Sequence, residues 1–340
     1  MVRLVVALLA VLLATASCGG TEPEKDAAGP TETPDGTRSA SPSEADVEVV
    51  VAPSVAVGAG PVGVTATDAG DVWVVSAQAE TVQRIPAGAT EPDLTIGVPG
   101  VPLRATAAFG SVWVTSFHGE ELLRLDPGSG EVVGRVKTGA GPEGVTSGFG
   151  SVWMVAQDAG RLLRIDPATT SVAAEIEVPV GSRLVGAGSD AVFVSAYADN
   201  TVLRIDPATN EVTATSPVFC EGPQSMVVLG GQVWVACTLS EEVVALDATT
   251  LEPGTRVPVD GSPDTVVVLP GKRLAVVAEE GPRLVVLNAT GGVVSEQVLG
   301  EEYELFDKAN LDLALAGGEV WVTSFNADRV YHVRRADPRA

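Results

Sequence analysis

The chain has 340 residues, of which 45% are hydrophobic and only 4% aromatic, and its formal net charge is −23. Such a charge repels phosphate backbones and anionic lipid head groups, which excludes nucleic acid as a partner and excludes adhesion of the folded part to an anionic membrane. No G-x-x-x-x-G-K-[ST] loop and no G-x-S-x-G elbow occurs, which removes the P-loop nucleotide hydrolases and the α/β-hydrolases.

Residues 1–17 read as a signal peptide. One positive charge, Arg3, precedes an apolar Leu/Val/Ala run over residues 4–14, too short to span a bilayer. Thr15-Ala16-Ser17-Cys18 resembles a bacterial lipobox, so Cys18 is expected to be lipidated and to become the new N-terminus. Ala14-Thr15-Ala16 also suits an ordinary A-x-A cleavage, whose product is secreted without a lipid. Residues 18–46 are rich in Pro, Ser, Thr and Glu with no apolar periodicity. Such a stretch buries too little surface to offset its ordering entropy and reads as a disordered tether. Together these features predict an extracytoplasmic head on a lipid anchor, with secretion as the alternative.

Residues 47–335 carry an internal repeat. Trp73, Trp113, Trp153, Phe193, Trp234, Ala275 and Trp321 occupy one slot at intervals of 40, 40, 40, 41, 41 and 46 residues. A period near 40 with several short strands per copy predicts an all-β, seven-bladed propeller of four-stranded antiparallel blades. In the third copy the strands are expected at residues 144–147, 152–156, 162–165 and 172–178, numbered outward from the axis. The tryptophans are read as packing between blades. The seventh copy ends after its third strand, while residues 47–57 precede the first copy, so the N-terminal strand is expected to close the ring in the last blade. Residues 336–340 are left as a C-terminal tail.

Asp126-Pro127, Asp166-Pro167 and Asp206-Pro207 place Asp and Pro as a type I turn favours, and they lack the dense acidic loop of a calcium cage. Cys220 and Cys237 form an even pair in a chain expected to leave the cytoplasm, and both fall on one face of the disc; the readings are a disulfide or two small apolar residues.

The repeated GPxGV, G-x-VWV and LLRIDPAT segments of residues 141–169 resemble the YVTN-type and streptogramin (virginiamycin B) lyase-like seven-bladed propellers, and the likeness covers nearly all of residues 47–334. The resemblance implies a propeller and leaves its activity open, since the scaffold also hosts sensors and adhesins. A lyase of that group implies a ring-opening eliminase with a histidine cluster and a divalent metal. This chain has two histidines, His118 and His332. No catalytic residue is therefore carried over, and neither a cofactor nor a metal site is expected outside a lyase-like or lactonase-type alternative that uses the channel mouth.

Candidate binding residues follow from the register. Those after each Gly-Pro lead-in are expected to surround the central channel: Val62, Arg104, Glu143, Arg183, Gln224, Asp264 and Asp312. Loops between second and third strands add Phe117, His118, Asp158, Tyr197, Phe325 and Asn326 on the same face. The 46-residue interval comes from an insertion at residues 300–310 that sets Tyr303 and Phe306 among acidic residues. The expected role is a monomeric binding or interaction module whose top face takes a protein or small-molecule ligand, with the membrane touched only through the lipid.

Overall fold

The computed structural model describes residues 49–279, 282–299 and 311–335. Each repeat forms one antiparallel sheet because its apolar runs are short, β-branched and bounded by Gly or Asp-Pro turns. In the third blade the strands are Pro142–Gly148, Ser151–Ala156, Arg161–Asp166 and Ser171–Glu177, in that order from the axis outward. The other blades repeat this order, and the seven sheets form the expected ring. The second strand, SVWMVA, is buried throughout. Both of its faces are covered by neighbouring blades, which explains its lack of polar alternation. The outermost strand alternates exposed and half-buried residues, as one covered face requires.

Closure occurs as the repeat count predicts. Arg329–Arg335 is the third strand of the seventh blade, and Val49–Val51 pairs with it antiparallel, Val49 opposite Arg335 and Val51 opposite Val333. Val55 and Ala56 continue the pairing opposite Val330 and Arg329.

Most seams between blades are built around one ring. Trp73 packs with Val112 and Val114 of the second blade, Trp153 with Val192 and Val194 of the fourth, and Trp321 with Val72 and Val74 of the first. The arginine of LLRIDP lies opposite the ring in the next strand, as Arg124 does to Trp113 and Arg164 to Trp153, with 5.1 Å from each guanidinium carbon to the indole centroid. It then crosses to the next blade. Arg124 Nη1 donates to the Pro167 carbonyl at 2.7 Å and to Thr170 Oγ1 at 3.1 Å, and Arg164 Nη1 donates to the Pro207 carbonyl at 2.6 Å and to Asn210 Oδ1 at 3.0 Å. Thr170 and Asn210 sit at φ 55° and 60°, the left-handed residues that end each Asp-Pro turn. In the same turns Asp126 Oδ1 accepts from the amides of Gly128 and Ser129, which holds its carboxyl below the ordinary range.

Cys220 and Cys237 are joined by a disulfide with 6.1 Å between Cα atoms, tying the lead-in of the fifth blade to the end of its second strand.

The ring should outweigh the clasp over it. Trp153→Ala is expected to lower unfolding free energy by about 3–5 kcal/mol, because a fully buried indole is removed from a seam too rigid to collapse. Arg164→Ala is expected to cost about 1–3 kcal/mol. Urea denaturation midpoints at constant m-value would check both.

Candidate functional site

The channel residues share one backbone feature. The innermost strand of each of the first six blades breaks register at its start, between Pro102 and Ala105, Pro142 and Val145, Ser182 and Val185, and Pro223 and Met226, and more narrowly between Pro61 and Gly63 and Pro263 and Thr265. Val62, Arg104, Glu143, Arg183, Gln224 and Asp264 all fall inside these bulges, and Asp312 immediately precedes the first paired residue of the seventh blade, Leu313. A bulge re-aims its side chain out of the sheet. Here it turns polar groups toward the axis.

The freed amides find new acceptors. Thr115 Oγ1, Ser195 Oγ and Thr323 Oγ1, each two residues after the ring slot, accept from the amides of Arg104, Leu184 and Asp312 at 3.0, 3.0 and 2.8 Å. Sequence reasoning passed over these hydroxyls. Their signal is a Thr or Ser where other blades carry Val or Ala, as in VWVTS and VFVSA.

Arg104 and Asp312 lie one residue deeper along their strands than Glu143 and Asp264. They stand two positions before the residue facing the ring slot, while Glu143 and Asp264 stand three before it. Arg104 is 5% exposed; its Nη1 donates to the Val62 carbonyl at 2.6 Å and to that of Leu311 at 3.3 Å, and lies 3.4 Å from Asp312 Oδ2. Asp312 accepts from the Val64 and Leu313 amides, and Asp264 accepts from the Leu311 amide. Burial would lower the Arg104 pKa, yet the charges of Asp312, Asp264 and Glu143 hold it above its ordinary value. Burial pushes the carboxyl of Asp264 up to about 7 against the pull of Arg104, and raises those of Asp312 and Glu143.

This charged layer divides the axis. On the side of the turns between first and second strands lies a channel cavity of about 350 Å³, lined from all seven blades. On the loop side lies a mouth cavity of about 280 Å³ walled by Val101, Leu103, Phe117, Glu143, Gln157 and Arg183. Of the predicted candidates, Phe117, Glu143 and Arg183 share this mouth. Arg183 extends the group, with its guanidinium carbon 3.9 Å over the Tyr197 ring and Nη1 donating to Gln224 Oε1 at 3.2 Å. Glu143 is nearly fully buried, and Asp158 adds to the rise of its pKa while Arg183 and Arg104 oppose it. Gln224 Nε2, Asp264 Oδ1 and Arg104 Nη2 are buried with no hydrogen-bond partner among the described residues.

The other candidates are placed less centrally. His118 is exposed beside Phe117, with its amide bound to the Gly100 carbonyl. Asp158 packs against Gly141, whose φ of 72° and close neighbours leave no room for a Cβ. Phe325 and Asn326 belong to the short 3-10 turn Phe325–Ala327, and the Phe325 ring rests on Gly60 of the first blade. Cys18, Tyr303 and Phe306 lie outside the described residues. His332 has a role the sequence reading did not assign: it stacks on Trp321 at 4.5 Å in the slot of the clasping arginines, with Nδ1 2.7 Å from Glu319.

The carboxylates facing the axis do not fit a divalent metal: Asp264 and Asp312 already answer to Arg104 and backbone amides, and no group of three or more His, Cys, Asp or Glu among the described residues is placed to share an ion.

No protein-family model and no curated protein sequence matches the chain. Solved structures do. A streptogramin B lyase structure matches with a TM-score of 0.72 and 16% identity over 86% of this chain and 100% of its own. The fold is that of a streptogramin lyase. Virginiamycin B lyase from Staphylococcus aureus matches at TM-score 0.71 and 18% identity, over 84% of this chain and 99% of the lyase. Kuenenia stuttgartiensis hydrazine synthase matches at TM-score 0.71 and 15% identity, over 82% and 96%. Neighbours as different as a lyase and a synthase show that the lyase-type disc carries a shape and not a chemistry.

The charged layer makes stability depend on pH. Asp264 has a folded-state pKa of about 7 against an ordinary 3.8, so its contribution is complete below about pH 4 and is lost as pH rises through 7. Asp264→Asn keeps an oxygen for the Leu311 amide and removes this titration. Melting curves between about pH 4 and pH 8 should fall in the wild type and be flatter in the variant.

Proposed function

We propose that the chain is an extracytoplasmic binding module, anchored to the bacterial membrane through a lipid on Cys18, whose mouth takes a protein or small-molecule ligand. One observation carries the reading: Gln224 buries its Nε2 unpartnered among the described residues, beside an Arg183 that is already aimed over Tyr197. Buried polar groups are almost always satisfied, so a ligand atom is a natural complement. The surrounding mouth offers a donor in Arg183, an acceptor in Glu143 and an apolar wall in Phe117, Val101 and Leu103. That set suits a small amide or ammonium compound bearing an apolar group, bound by a monomer.

The location is supported by the disulfide, since such bonds persist in oxidising compartments, and by the signal and tether pattern of residues 1–46. The enzyme alternative draws on fold likeness and on His118 as a lone general base at the rim. A catalytically inactive histidine-to-alanine variant of virginiamycin B lyase was solved with quinupristin, at TM-score 0.69 and 19% identity to this chain. That makes quinupristin the discriminating probe.

Calorimetric titration with N-acetyl-phenylalaninamide is expected to show binding that Arg183→Ala and Glu143→Gln each weaken by about tenfold, or roughly 1.4 kcal/mol. Absence of binding, or binding indifferent to both changes, overturns the mouth as the site. Quinupristin incubated with the protein and Mg²⁺ is expected to elute unchanged on chromatography; conversion that disappears in His118→Ala would establish the lyase reading instead. Separately, Cys18→Ser is expected to move the protein from the membrane fraction to the soluble one, read by fractionation and immunoblot.

A further inference from the structure

Six of the seven seams hold an aromatic ring, and the seam between the sixth and seventh blades does not. Ala275 stands in the ring slot, and opposite it in the next strand Val286 replaces the clasping arginine. A cavity of about 240 Å³ opens at this seam, with Leu284, Val286, Val320 and Val333 as its walls and Pro270 and Arg273 at its turn end.

The cavity lies where an indole stands in five of the other six seams and a phenyl ring in the remaining one. Trp113 and Trp153 donate Nε1 to the carbonyls of Ala108 and Gly148, each five residues earlier in the chain, at 3.2 and 3.1 Å. Ala108 and Gly148 pair with the residue two before the ring slot, and the residue so paired in the sixth blade is Leu269, which lines the cavity. Cross-strand partners share a face, so Ala275 and Val286 point to one side of their sheet. Leu284, two residues from Val286, belongs with Ala275, Val320 and Val333 to one apolar cluster across the seam.

The loss of the arginine at this seam coincides with a change in what the next blade offers it. Arg84, Arg124 and Arg164 all reach a proline carbonyl in the next blade's turn between third and fourth strands. In the seventh blade those strands come from opposite ends of the domain, so among the described residues no turn joins them and no such carbonyl faces the sixth blade. The fifth blade also lacks the arginine, with Ala245 opposite Trp234, but keeps its ring; the sixth carries Val and Ala in the two slots.

We infer that this seam is a binding site for a planar aromatic molecule of indole size. An apolar hollow gives water too few partners, and its walls lack dispersion contacts that a ring would restore. The Leu269 carbonyl, at the position of the accepting carbonyls of Ala108 and Gly148, is the acceptor for a ring N–H, and Arg273 and Arg334 at the rim of a chain with net charge −23 favour an acidic substituent on the ring. The site lies at the turn face, whereas the mouth is formed by the loops of the opposite face, so the two are independent.

The full chain would be titrated with indole and with indole-3-acetate by calorimetry, alongside thermal melts. The wild type is expected to bind both and to melt higher with either, the acid more tightly. Ala275→Trp, which supplies the ring covalently, is expected to melt higher without ligand and to bind indole at least tenfold more weakly. Val286→Phe narrows the hollow from the other strand, is expected to weaken indole binding likewise, and decides the matter should the tryptophan variant fail to fold. No binding by the wild type up to the solubility of indole overturns the inference, as does undiminished binding by a folded variant.

Discussion

A ring pushed from each blade into the next is the contact on which this molecule depends. The blades are small four-stranded sheets with no core of their own, and each becomes stable only when its buried second strand is sandwiched between neighbours. Five tryptophans and Phe193 do this for six seams, and in the first four blades the arginine over the ring converts a non-directional apolar contact into a registered one by reaching a backbone carbonyl in the next blade. The sequence therefore repeats at a near-constant interval, and the first three copies present the same ring, the same guanidinium and the same turn carbonyl.

Closing a ring from one open chain makes one place unlike the rest. The seventh blade is completed by Val49–Val51, so among the described residues no turn joins its two outer strands, and the sixth seam has neither clasp nor ring. His332 stands at the next seam, stacked on Trp321 and paired with Glu319 in place of an arginine. The seams that depart from the pattern are thus the two that the joint touches and, away from it, those with Phe193 and Ala245.

Near the axis the chemistry is set by a different constraint. The inner strands converge so closely that Gly63 and Gly144 have no space for a Cβ, a methyl there meeting the Leu103 and Arg183 carbonyls of the next blade at 2.4 and 2.5 Å. The bulged side chains beside them must then point along the axis, and charges forced together in a dry layer pair or lose their protons late. Arg104 with Asp312, Asp264 and Glu143 forms such a layer, leaving Arg183, Gln224 and Tyr197 above it facing the mouth.

The order of strands, the number of blades, the packing role of the tryptophans and the closing strand were legible in residues 47–335, because each is written as a repeated local pattern and local patterns obey local rules of turn geometry and strand propensity. The same register located the channel residues; that Arg104 and Asp312 stand one residue deeper than Glu143 and Asp264, and which of these charges meet across the axis, follows from strand pairing and from contacts between blades. Which candidates meet, that Arg183 lies over Tyr197 while Asp158 packs aside, and that Ala275 leaves a hollow where its counterparts fill one, was decided only by tertiary structure. A repeat specifies what every blade shares; the convergence of seven different blades on one axis specifies what their unlike residues do.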